Sequence, residues 1–103
     1  MNRTQTLQRA VDAVKDRGED YGPIKENFQR IADFWATWLI HRGIISDPLL
    51  IEPLDVAMMN DLQKTSRLIE TPDHEDSIVD KAGYAACYAE CATPQPQPKE
   101  ATE

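Results

Sequence analysis

Between Ile24 and Arg42, Phe28, Ile31, Ala32, Trp35, Trp38 and Leu39 recur at i, i+3, i+4, i+7, i+10 and i+11. That spacing places them on one side of a helix with 3.6 residues per turn. No stretch of the chain alternates apolar and polar residues with period two over a useful length, so a sheet has nothing to be built from. The rest of the chain is punctuated to match. A first helix is predicted over Thr4–Arg17, with Leu7, Ala10, Val11 and Val14 as its apolar stripe, before "RGEDYGP" interrupts it at Gly18, Gly22 and Pro23. Gly43 ends the second helix as a C-terminal cap. A loop, "IISDPLLI", has room for a short turn. The third helix opens at Glu52–Pro53, where proline's missing N–H costs nothing, and runs to Glu70 with Leu54, Met58, Leu62 and Ile69 as its expected core stripe. The fourth spans His74–Ala92, with Ile78, Val79, Ala82, Ala85, Ala86 and Ala89 facing the core. The expected architecture is a four-helix, all-α domain over residues 1–92. From Thr93 to Glu103 the chain is Pro/Gln-rich without a core residue, and reads as a disordered tail.

Charge narrows the function. The chain has 103 residues, a formal net charge of -7 and a pI near 4.7. A general nucleic-acid binder needs a basic footprint, and so does a protein held on an anionic membrane. Neither fits. A nucleotide still fits, because a divalent ion on carboxylates meets its phosphates. No apolar run reaches the ~18 residues of a membrane helix, and the first residues lack a signal-peptide core. The expected location is the cytosol. Cys87 and Cys91 fall at i, i+4 on one helix, a poor geometry for an internal disulfide, so both are read as reduced, half-buried residues.

Asp80 is the residue that helix chemistry does not explain. Asp73, Glu75 and Asp76 stand at the start of the fourth helix, where the dipole favours acids and Asp73 is the expected N-cap. Asp80 lies a turn further in, and the Asp76–Asp80 pair repels. Asp76, Asp80, Gly83 and Cys87 share one stripe beside Tyr84. Asp, Gly, Cys and Tyr do not make a solvated face, so this helix is expected to be covered on both sides with its acids at a seam. Gly83 in mid-helix costs about 1 kcal/mol against Ala and often marks a close neighbour. A divalent ion, a salt bridge and solvent remain open for Asp80. Asp55, at the edge of the third helix's core stripe, is placed to share an ion. Asn60, Lys64 and Arg67 form a stripe on the far side from that core: either a solvated face, or cations that meet phosphate or Asp80. His74 reads as a solvated histidine at a helix start. The second-helix aromatics read as core. Asn27, with Tyr21 in the preceding loop, has the chemistry to bond a base or sugar.

Three segments carry a resemblance. "DRGEDYG…ENFQRIADFW" (Asp16 to Trp35), "DVAMMNDLQKTSRL" (Asp55 to Leu68) and "HEDSIVDKAGYAA" (His74 to Ala86) resemble, in the same order, a set of small phage and prophage proteins of unassigned function. That set is more distantly similar to the MazG-like all-α nucleoside triphosphate pyrophosphohydrolases. The resemblance implies a helical oligomer that holds Mg²⁺ on acids from two helices and releases pyrophosphate and a nucleoside monophosphate. The usual acids are E-x-x-E followed by E-x-x-D. This chain departs from them, with Glu52-x-x-Asp55 and Asp76-x-x-x-Asp80 at the matching places.

Three functions follow as expectations. In the first, Asp76 and Asp80, with Glu52 and Asp55, hold Mg²⁺ and carry hydrolysis; Lys64 or Arg67 clamps phosphate, and Tyr21, Asn27 and Tyr84 line the nucleoside site. In the second, the same seam binds a nucleotide or cyclic nucleotide without metal or cleavage, and sequesters a host signalling nucleotide in the host cytosol. In the third, the chain is an interaction protein in which Asp80 pairs with Lys64 or Arg67 across a subunit boundary. All three expect a homo-oligomer, because Trp35, Trp38, Met58, Met59, Tyr84 and Tyr88 exceed what one such unit hides.

Overall fold

The computed structural model describes residues 1–94. Helix α1 spans Arg3–Tyr21, α2 Ile24–His41, α3 Pro53–Glu70 and α4 Glu75–Ala92, with a 3-10 turn at Pro48–Leu50 before α3. No strand occurs among the described residues. Residues 95–103, most of the expected tail, lie outside them. Thr93 is held: its carbonyl accepts from Lys25 Nζ at 2.7 Å, so α2 caps the end of α4.

Each boundary has a local cause. Asn2 and Gln5 exchange bonds of 2.8 and 2.9 Å as a capping box ahead of α1. Helix α1 then runs one turn further than its apolar stripe suggests. Gly18 does not break it, because a single helical glycine costs only about 1 kcal/mol. The break falls at Gly22, whose φ of 77° is open to glycine, followed by Pro23. Tyr21 is therefore a helix-end residue, not a loop residue. At the end of α2, Gly43 N–H bonds Ile40 O and Ile44 N–H bonds Leu39 O, both at 2.9 Å, the Schellman pair expected of a glycine stop. At α4 the N-cap is His74, not Asp73: its Nδ1 accepts from Ser77 N–H at 3.3 Å.

Helices α3 and α4 pair closely as a hairpin, with α1 against α4 and α2 against α3. Helix α4 is thus flanked by α1 and α3, as its small and acidic stripe implied. The main core is Phe28 and Ala32 of α2 on Val56 and Ala57 of α3, with Ile31, Trp35 and Tyr84 packed around them.

Two stripes face differently from their sequence reading. On α3, Met58, Leu62 and Ile69 are exposed at 42, 57 and 79%, while Asn60, Asp61, Lys64 and Thr65 are half-buried. The polar side of α3 meets α4, Val56 and Ala57 enter the core with Leu54 half-buried, and Met58, Leu62 and Ile69 face out. On α4, Ala85, Ala86 and Ala89 are exposed, and Ser77, Val79 and Gly83 are buried. Trp38 also stays outside, stacked on His41. Periodicity locates an apolar face but does not say what covers it.

Candidate functional site

The wedge between α1, α2 and α4 is a cleft of about 820 Å³, within the usual range for small-molecule sites. Its floor is apolar, with Val14 from α1, Phe28 and Ile31 from α2, and Val79 from α4. Polar groups stand on three sides: Tyr21 and Arg17 on α1, Asn27 on α2, and Asp80 and Tyr84 on α4. The Arg17 guanidinium lies over the Tyr84 ring, 5.8 Å from its centroid, a cation–π distance. Gly83 keeps the wall low. A Cβ there would lie 3.7 Å from Val14 Cγ2.

Asp80 is the hinge of the electrostatics. Its Oδ1 accepts from Arg17 Nη2 at 3.1 Å, and its Oδ2 pairs with Lys64 Nζ at 3.0 Å. One carboxylate thus joins α1, α4 and α3 from a side chain only 15% exposed. Of the possibilities for Asp80, the salt bridge is the one the structure contains, and it lies within one chain.

The other expected site residues divide. Tyr21, Asn27, Asp80 and Tyr84 share the cleft. Lys64 stands behind it, on the far oxygen of Asp80. Asp76 lies in the adjoining groove and pairs with Arg9 at 3.2 Å. Arg67 reaches His74 Nε2 at 3.3 Å. Asp55 is used locally, its Oδ2 accepting from Glu52 N–H at 2.8 Å at the start of α3. So Glu52, Asp55, Asp76 and Asp80 are not brought together as one donor set. Among the described residues no three of His, Cys, Asp or Glu gather as a metal site. Within one chain these four acids therefore stand at separate places, Glu52 and Asp55 at the start of α3 and Asp76 and Asp80 on α4.

Arg17 is the site residue that sequence reading missed. Its signal was the continuation of α1: on an unbroken helix Val14, Gly18 and Tyr21 follow at i, i+4 and i+7, and Arg17 lies beside them. Cys87, also in the cleft wall, has its thiol pushed above the ordinary value, first by burial and then by neighbouring Cys91 and Glu90. A raised thiol pKa lowers its thiolate fraction at neutral pH.

Comparison with known proteins gives kinship. Two relatives are each called Gene 55 protein. That of Mycobacterium phage L5 is 39% identical over 79 residues, 77% of this chain and 46% of its own length. That of Mycobacterium phage D29 is 39% identical over 72 residues, 70% of this chain and 42% of its own. The chain thus spans less than half the length of these relatives. No solved structure matches. A family profile described as a domain of unknown function, DUF6378, matches residues 5–92, and the chain belongs to that family.

Proposed function

We propose that this chain binds a nucleotide in the cleft between α1, α2 and α4 and holds it without cutting it. One observation carries the reading: Tyr21, Asn27 and Tyr84, from three helices, line the same cleft as Arg17. An aromatic and amide wall suits a base and sugar, and a guanidinium suits a phosphate. The distant resemblance of its acid motifs to those of MazG-like proteins points to the same ligand class. The scattered acids favour retention over hydrolysis, since Asp80 is engaged by two cations and Asp55 by a backbone N–H. In a phage-encoded protein, such a binder would withdraw a signalling nucleotide from the host cytosol.

The test is a panel of canonical and cyclic nucleotides incubated with the protein and Mg²⁺ or Mn²⁺, then followed by chromatography. The expected result is one nucleotide depleted from solution and recovered intact on denaturing the protein. Monophosphate and pyrophosphate that vanish with Asp80→Asn would instead restore the hydrolase reading. A silent panel would remove both.

A second property has its own support. The outward apolar stripe of α3 favours assembly with further copies of the chain.

A further inference from the structure

We infer that Arg17 is the anchor for a phosphate group in this cleft, and that Lys64 acts behind it by keeping Asp80 paired when Arg17 turns to the ligand. The inference rests on the nucleotide-binding reading and deepens it, by assigning the residue that takes the anionic end.

Among the described residues lining the cleft, Arg17 is the one cation, against Asp80 and Glu90. The other nearby cations are engaged. Arg9 holds Glu75 and Asp76, Lys81 holds Asp61, and Lys25 holds the Thr93 carbonyl. Arg17 is 48% exposed, and a single bond of 3.1 Å from Nη2 ties it to Asp80. A guanidinium has five N–H donors in a fork that matches two phosphate oxygens, so the bond to Asp80 leaves most of its donors unused, on a side chain that lines the cleft.

The obstacle to using Arg17 is the acid it would leave. An ionised carboxylate in a mostly buried position is costly when unpaired. Asp80 would not be unpaired, because Lys64 Nζ stays 3.0 Å from its other oxygen. The three groups sum to one positive charge within a chain of net charge -7. Lys64 does not line the cleft. It is a positioning residue, and the ligand touches Arg17.

The probe is inorganic pyrophosphate, titrated into ¹⁵N-labelled protein while the Arg17 side-chain Nε–H signal is followed. That signal is expected to move and saturate, in wild-type protein and without any substitution. Arg17→Gln should lower pyrophosphate affinity about tenfold or more, the scale of a lost charge-assisted hydrogen bond. Lys64→Met alone should weaken binding severalfold, because Asp80 then grips Arg17. Placed on top of Asp80→Asn, Lys64→Met should have almost no effect. If Lys64→Met weakens binding equally in both backgrounds, Lys64 touches phosphate itself and the division of roles is overturned. Circular dichroism on each variant separates lost folding from lost binding. A nucleotide that binds without moving the Arg17 signal would overturn the anchor and leave the nucleotide reading intact. Pyrophosphate that moves Arg17, with no nucleotide bound, would support the anchor and remove the nucleoside half of that reading.

Discussion

At the scale of single residues, Asp80 shows how far side-chain chemistry can be read ahead of a structure. Its oddity was legible, because a mid-helix acid among Asp, Gly, Cys and Tyr has no place on a solvated face. Lys64 was expected as a partner, but across a subunit boundary and not within one chain; Arg17 was not expected, because it lies 63 residues away in the chain and no local pattern pairs them. Asp80→Asn is expected to lower unfolding stability by about 1–2 kcal/mol, since it removes the negative charge and one of the two acceptor oxygens that two partly exposed cations share; urea denaturation measures it. The cysteines allow a pH prediction. Burial, ahead of neighbouring acids, raises both thiols above the ordinary value of 9.0. Folding then favours the protonated thiol. This contribution is whole below pH 9 and is lost as pH climbs from there through the folded values. Stability should therefore fall above pH 9, and less so in a Cys87→Ala, Cys91→Ala protein. Iodoacetamide at pH 8 should label the thiols slowly until urea unfolds the chain. Rapid labelling of the native protein would refute the buried placement.

At the scale of elements, starts and stops followed from local chemistry, and facing did not. Gly43 and Pro53 act where short-range rules put them, whereas α1 runs a turn past the expected end at Arg17 to break at Gly22–Pro23, and His74 caps α4 in place of Asp73. The reading of α3 was inverted, because Met58, Leu62 and Ile69 make a proper stripe that happens to face outward. Asn60 and Lys64 then occupy the side against α4 that a core stripe would take in a self-sufficient bundle. That inversion also misplaced Lys64, which belongs beside Asp80 and not on a far face. Gly83 tests the packing of α1 on α4. The nearest atom to an added Cβ is Val14 Cγ2 at 3.7 Å, an ordinary contact, and the backbone is helical. Gly83→Ala should therefore stabilise the protein by up to about 1 kcal/mol through helix propensity alone. Gly22→Ala should do the reverse, because its φ of 77° strains any residue with a Cβ. Thermal melts of the two variants are expected to move in opposite directions. Destabilisation by Gly83→Ala would mean that α1 lies closer to α4 than described.

At the scale of the whole molecule, the chain is flat. Its extents are 47 × 46 × 21 Å and its radius of gyration is 16.2 Å, where a compact chain of this size would have about 13 Å. A thickness of 21 Å is about two helix diameters, so both broad faces meet water. Among the described residues seven apolar ones are buried, and four of them, Ala10, Ala32, Ala36 and Ala57, are alanines. Chains this small need an extra source of stability when the core is slight. Both cysteines are free, and we propose association with further copies of the chain as a source of stability. A second copy against the outward stripe of α3 would cover Met58, Leu62 and Ile69, and fully burying such a side chain contributes about 1.5–3 kcal/mol. In a two-fold interface each substitution counts twice. Leu62→Glu should thus raise the dissociation constant at least about a hundredfold, turning an oligomer at tens of micromolar into monomer by sedimentation. It should also lower the concentration-dependent part of the melting temperature. Arg17→Gln, on the other side of α4, should leave the assembly unchanged. A wild-type protein that sediments as a monomer at that concentration and melts cooperatively would show that the small core suffices, and would leave the α3 stripe for a different partner.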